Sequence, residues 1–154
     1  MEFPVFPELP IEQPENSISY HFEDADIDLP DEERLTAWLL AVAVAEGKPV
    51  HEVAYIFCSD DYLLQMNRDY LQHDYYTDVI TFPYSQILVH GDIFISTDRI
   101  RDNARTNNIS LERELCRVMV HGVLHLAGYS DKTDIERAQM TEKENFYLKK
   151  FVAT

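Results

Sequence analysis

Cysteine is nearly absent: Cys58 and Cys116 are the only two in 154 residues. One falls in a strand-like run and the other in a helix-like run. A disulfide framework is therefore excluded, and two buried free thiols in a cytoplasmic protein are expected. No stretch approaches the roughly 20 apolar residues that a membrane-crossing helix needs. The opening MEFPVFPELP carries Glu2 and Glu8 among its prolines, has no basic region ahead of its apolar residues, and does not read as a secretory signal. Positive charge is short as well: 13 Lys and Arg stand against 28 Asp and Glu, a formal net charge of −15. Such a surface repels phosphate backbones as a whole, which weighs against nonspecific nucleic-acid affinity. Repeats, low-complexity tracts and signs of a second domain are missing. The hydrophobic fraction of 45% is ordinary for a globular protein, and the length suits one domain with a real core.

Within these bounds the chain reads as alternating short strands and helices. Residues 18–22 form a weak first strand, after a lead-in over 1–17 that is rich in proline and acid and loosely held. Asp31 caps a helix whose Leu35, Trp38, Leu39 and Val42 recur at helical spacing and which Gly47 ends. Val50 to Phe57 is a largely buried strand. Ser59 caps a helix reaching about Leu71, and Asp74 to Thr77 make a polar turn. Val79 to Phe82 is a strand stopped by Pro83, and Leu88 to Ile95 is another, close enough for an antiparallel hairpin. Ser96 or Thr97 starts a helix to about Asn107, Ser110 caps the next, and Thr133 with Glu136 forms a capping box for the last. Lys149 and Lys150 suit its C-terminal end. The expected architecture is a single α+β domain, with a mixed sheet of about four strands covered by helices.

The richest chemistry lies in His121-Gly122-Val123-Leu124-His125-Leu126-Ala127-Gly128-Tyr129-Ser130-Asp131. Four-residue spacing puts both imidazoles on one helical face, about a turn apart, so that two ring nitrogens can meet one ion. Gly128 offers the left-handed residue that ends a helix. Asp131 arrives on the return as a third ligand, with Ser130 and Asp134 as weaker candidates for that position. Two nitrogens, a carboxylate and an open fourth position describe a catalytic zinc, one per chain. Taken alone, the motif fits a pair of hydrogen-bonded core histidines equally well. Leu115, Val118, Val123 and Leu124 tip the balance, because they bury a helix in which two unpartnered imidazoles would be costly. Zinc proteases place a glutamate, their general base, directly after the first histidine; Gly122 stands there instead. Metal-activated water is the favoured chemistry, and no general base can be named.

This motif is the last of three ordered blocks. HGVLHLAGY is followed by an acidic turn and by Met140 and Glu144 on a later helix. Upstream stand Met66-Asn67-Arg68-Asp69-Tyr70 with Thr77-Asp78-Val79-Ile80-Thr81-Phe82-Pro83, and then His90-Gly91-Asp92-Ile93-Phe94-Ile95-Ser96. Together, from residue 66 to 144, they resemble the YbeY endoribonuclease family; residues 1–50 add little. The resemblance implies a zinc-dependent endoribonuclease that cuts single-stranded RNA in bacterial ribosomal RNA maturation and ribosome quality control. That family binds zinc through three histidines, and the third falls where this chain has Asp131. It also places an arginine after the tyrosine of the upstream block, where this chain has Leu71; Arg68 is the nearest substitute. A carboxylate ligand leaves the centre formally one unit less positive than a three-histidine site.

Thr77, Asp78, Asp92 and Arg117 are candidates for contacts to substrate or in support of the ligands. Thr77 and Asp78 begin a strand beside a polar turn, where they orient the metal water or a ribose, or simply cap the turn. Asp92, inside a strand, either fixes a histidine tautomer or marks a bulge or edge. Arg113 and Arg117 precede His121 on its side of the helix and, with Arg99, Arg101 and Arg105, offer one basic track toward the metal. Pairing with Glu112, Glu114 and other carboxylates is the alternative. Most of Tyr62, Tyr70, Tyr75 and Tyr76 are expected to pack on helix and loop faces; as base-stacking candidates, Tyr75 and Tyr76 are the better two. His73 and His90 lack ligand spacing. Two other functions remain open: a metal-dependent hydrolase of another substrate, and a non-catalytic ribosome-assembly factor with a structural metal. The acidic body also predicts dependence on Mg²⁺ or on protein partners in the ribosomal particle, such as small-subunit proteins.

Overall fold

Hydroxyl and carboxylate caps set the helix starts. In the computed structural model, which describes residues 17–151, the Asp31 carboxylate accepts from the N–H groups of Glu33 and Arg34 and opens α1 (Glu32–Ala45). Ser59, Ser96 and Ser110 do the same for α2 (Asp60–Leu71), α3 (Thr97–Thr106) and α4 (Leu111–Leu126). Thr133 and Glu136 form the reciprocal box that opens α5 (Asp134–Phe151). Each such cap contributes about 1 kcal/mol by giving an orphan backbone donor a partner. All five starts agree with the caps read from the sequence. The lead-in expected over 1–17 lies, apart from Ser17, outside the described residues.

Four strands, β1 (Ile18–Phe22), β2 (Val50–Cys58), β3 (Val79–Pro83) and β4 (Val89–Ser96), form one sheet in the order β1-β2-β4-β3. The pairs β1–β2 and β2–β4 run parallel, whereas β3–β4 is the expected antiparallel pair, with Ile80 opposite Phe94 and Phe82 opposite Asp92. The sheet is mixed because a parallel neighbour needs a long crossover, supplied by a helix, while the short 84–88 link can only reverse the chain.

Strand alternation divides the core unequally. Val53, Tyr55 and Phe57 of β2 and Ile93 and Ile95 of β4 point to one face and are fully buried with Leu35, Leu39, Leu115, Met119, Leu124 and Leu148 from α1, α4 and α5. On the other face a smaller cluster of Cys58, Leu63 and Ile80, flanked by Tyr62, Met66, Phe82 and Phe94, lies under α2. Both thiols are free and buried, as expected.

Helix α4 lies close on the sheet. A Cβ on Gly122 would come within 2.8 Å of Ile93 Cδ1 and 2.9 Å of its Cγ2, so hydrogen is the side chain that fits there. The Tyr55 phenol crosses from β2 to donate to the Met119 carbonyl at 2.8 Å. These contacts fix the rotation of α4, and hence where its next turns point.

Candidate metal centre

The last turns of α4 and the bend after them assemble the centre. Ala127 caps the helix, Gly128 takes φ +110°, and two reversed bonds close the end: Tyr129 N–H to Leu124 O at 3.0 Å and Gly128 N–H to His125 O at 3.0 Å. This paired pattern with a left-handed glycine turns the chain back over its own helix. Asp131 thereby faces the rings of His121 and His125, whose centroids lie 4.4 Å apart at 83°.

One oxygen meets both rings. Asp131 Oδ2 lies 3.4 Å from His121 Nε2 and 3.3 Å from His125 Nε2. A zinc ion held tetrahedrally at about 2.0–2.1 Å spaces its ligand atoms about 3.3–3.4 Å apart, so these separations fit that ion. The far nitrogens are also occupied. His125 Nδ1 is 2.9 Å from the Tyr129 carbonyl, which can only accept, so that nitrogen carries the proton. His121 Nδ1 donates to Glu144 Oε2 at 2.6 Å. Both Nε2 lone pairs are therefore left facing Asp131, the arrangement that prepares imidazoles for a metal. Among the described residues, His121, His125 and Asp131 form the one cluster of three such groups able to hold an ion.

The two rings differ electrostatically. Burial pushes the His121 imidazole down, but Glu144, Asp78 and Asp131 more than reverse this and hold it above the ordinary histidine value. His125 falls below that value, through burial and then the neighbouring His121. Arg117 steadies the carboxylate behind His121, donating to Glu144 Oε1 at 2.9 Å and also to Asn145 Oδ1 at 2.7 Å.

A cleft of about 260 Å³ opens beside His121 and Asp131. Asp78 and Arg117, both singled out in the sequence, line it, together with Glu114, Arg137, Thr141 and Glu144. Burial raises the Asp78 carboxyl above its usual range, with Glu144 and Asp131 adding to the effect and His121 opposing it. Glu114 is raised by burial and then by Asp78.

Two candidates are not brought to the cluster. The Thr77 hydroxyl points to the Val79 carbonyl at 3.5 Å and serves the turn. Asp92 accepts from Tyr84 Oη at 2.6 Å on the α2 face of the sheet, opposite α4, because it alternates with Gly91 and Ile93. It therefore does not fix either histidine. Four arginines of the basic track are engaged by acceptors: Arg99 by Asp60 and Asp102, Arg105 by Asp102, Arg101 by the Asp26 carbonyl, and Arg117, which lines the cleft, by Glu144. Arg68, the substitute for the arginine absent at Leu71, pairs with Asp74. Of the tyrosines, Tyr75 stacks on His73, and Tyr62 and Tyr70 line an aromatic cleft of about 500 Å³ with Phe82, Tyr84 and Phe94, next to Asp92. The sequence reading missed Glu144 as a histidine partner, although it lies four residues after Met140 on a face bound to meet α4.

Fold and cluster together define an α+β protein with a His/His/Asp cluster able to hold a metal ion at the exit of a sheet-covering helix. The Endoribonuclease YbeY family model matches residues 17–152. Relatives named Endoribonuclease YbeY include one from Cytophaga hutchinsonii, 48% identical over 136 residues (87% of this chain, 95% of the relative), and one from Phocaeicola vulgatus, 50% identical over 131 residues (83% and 94%). The solution structure of a Thermotoga maritima protein superposes with a TM-score of 0.63 at 30% identity, covering 87% of this chain and 88% of that one. The chain belongs to the YbeY family. No helix among the described residues is long and apolar enough to cross a membrane.

Proposed function

We propose that this protein is a zinc-dependent endoribonuclease that cuts single-stranded RNA during ribosomal RNA maturation and ribosome quality control in the cytoplasm, with small-subunit proteins among its partners. Family membership supports the endoribonuclease activity, and the centre supports the metal. The observation that carries the reading is the convergence of His121 Nε2, His125 Nε2 and Asp131 Oδ2 at 3.3–3.4 Å, with both Nδ1 atoms already bonded.

Each residue has a distinct part. His121, His125 and Asp131 hold one zinc per chain. Glu144 and the Tyr129 carbonyl lock the rings in the ligating tautomer. When bound, the zinc supplies Lewis acidity toward water and a phosphoryl oxygen. Asp78 and Glu114, both lining the cleft with raised carboxyls, are the groups placed to receive a proton at a carboxylate oxygen. Arg117 and Arg137 are the cations lining the cleft where substrate enters.

Metal content of purified wild type, His121→Ala and Asp131→Ala, followed by cleavage of a single-stranded RNA, tests this. About one zinc per chain, lost in both variants along with RNA cleavage, is expected. Folded wild type that takes up no zinc when supplied with it overturns the reading. A second reading, a hydrolase of small phosphoesters, draws on the pairing of Arg68 and Arg117 with acids. Parallel assays on RNA and on a small phosphodiester separate the two.

A further inference from the structure

Glu46 is a buried carboxylate with no part in the chemistry above. It caps the C-terminus of α1 with its side chain only 6% exposed. Three donors converge on it: Tyr129 Oη at 2.6 Å, Lys143 Nζ at 3.1 Å, and the Tyr147 phenol. Two of these come from α5. The third comes from the bend that leaves α4, and that residue touches the metal centre with its other end: the Tyr129 carbonyl accepts the His125 Nδ1 proton at 2.9 Å.

We propose that Glu46 is a positioning residue for the metal centre: by holding the Tyr129 phenol, it fixes the peptide carbonyl that orients His125. The proposal rests on the reading of His121, His125 and Asp131 as metal ligands. The glycine-centred helix end holds the backbone of the bend on one side, with Gly128 N–H on His125 O and Tyr129 N–H on Leu124 O. On the other side Arg137 Nη1 donates to the Asp131 and Lys132 carbonyls. The phenol on Glu46 adds a side-chain anchor at Tyr129 itself, between these two, and Lys143 closes over it, bonded to Glu46 and lying 5.5 Å from the Tyr129 ring centroid. That anchor sits on the residue whose carbonyl meets His125.

Glu46 also ties the end of α1 to α5 through Lys143 and Tyr147, but that docking does not depend on it alone. Docking of α1 on α5 has its own supports: the Trp38 indole N–H donates to the Tyr147 carbonyl at 3.0 Å, and Trp38 stacks on Phe151 at 4.6 Å. Neither involves Glu46. A carboxylate that partners a metal-bound histidine through an intervening residue acts on ligand orientation, and the loss of such support typically weakens metal binding about 10–100-fold.

The test measures zinc affinity of full-length protein by competition with a chromophoric chelator, alongside thermal melts in EDTA. The variants are Glu46→Ala, Tyr129→Phe, the double variant and Tyr147→Phe. Tyr129→Phe removes one hydroxyl and keeps the ring, so it preserves the fold even if Glu46→Ala does not. Glu46→Ala and Tyr129→Phe are each expected to weaken zinc binding about 10–100-fold. The double variant is expected to weaken it no further than the worse single one, since both break one connection. Tyr147→Phe, which takes a donor from the same carboxylate without touching the bend, should stay within about two-fold of wild type. Wild-type affinity in Tyr129→Phe overturns the proposal, as does an equal loss in Tyr147→Phe or a lowered EDTA melting temperature with affinity intact. Wild type that itself binds no zinc overturns the metal reading instead.

Discussion

Glu144 Oε2 lies 2.6 Å from His121 Nδ1, and the same carboxylate reaches Arg117 through its other oxygen. A charge on α4 and a ring on α4 are thus joined through one acidic residue of α5. Glu144→Gln keeps a possible acceptor for the ring but removes the charge; zinc affinity should fall about 10–100-fold. Glu144→Ala also leaves Arg117 without its counter-charge. Since Arg117 remains partly exposed, the expected loss is about 2–3 kcal/mol, below that of a fully buried pair. Chelator competition and urea unfolding of the metal-free protein check the two effects separately.

Asp131 supplies a carboxylate where the resemblance places a histidine. Replacing it by histidine removes one negative charge from the centre, and a more positive ion lowers the pKa of its water further. Asp131→His should keep zinc and move the optimum of RNA cleavage to lower pH. An active variant with an unchanged pH profile would count against the charge argument.

Gly122 sits in the middle of a helix, where alanine would ordinarily gain about 1 kcal/mol. Here the added methyl collides with Ile93. Overpacking of this kind costs about 1–3 kcal/mol, so Gly122→Ala should be neutral to destabilising by about 2 kcal/mol. Ile93→Val removes Cδ1, one of the two atoms met, and should relieve part of that cost. A double-mutant cycle by denaturant unfolding measures the coupling; strict additivity would mean that the helix moves away from the sheet instead.

Glu46 also titrates. Burial alone would raise it, but hydrogen bonds from Tyr129, Tyr147 and Lys143, with the Lys143 charge, hold it below its ordinary value of 4.5. A carboxylate lowered on folding stabilises the protein above its unfolded pKa, and that contribution disappears as pH falls through the folded value. In EDTA, the stability of wild type relative to Glu46→Gln should be constant near neutrality and shrink below about pH 4.5. Melts from pH 7 to pH 3 read this difference directly.

How much of this was visible in the residues depends on distance along the chain. The helix starts were legible because a cap and the donor it satisfies lie two or three residues apart. The His121–Asp131 trio was legible for the same reason: one helix, one glycine and one turn contain it. Sheet order was not, since inserting β4 between β2 and β3 is decided by pairings far apart in sequence. Glu46 and Glu144 were invisible as supports because they meet the bend and the ring only after α1 and α5 dock on α4. For Asp92, left open between two readings, a local signal was present. Its neighbours Gly91, Ile93 and Ile95 already assign the α4 face of β4 to themselves, which leaves Asp92 the opposite one.

The unequal division of the core has a dynamic corollary. On one side of the sheet α1, α4 and α5 share a continuous interior, whereas α2 rests on a small cluster of its own. Local opening free energy scales with the apolar contact that must be broken, so the chain should unfold in two steps of unequal depth. Amide hydrogens of α2 should exchange through a shallow, sub-global fluctuation, while those around Met119 and Leu124 exchange only when the whole molecule opens. His121 and His125, on α4, belong to the deeper unit. The aromatic cleft beneath α2 can therefore breathe while His121 and His125 keep their places.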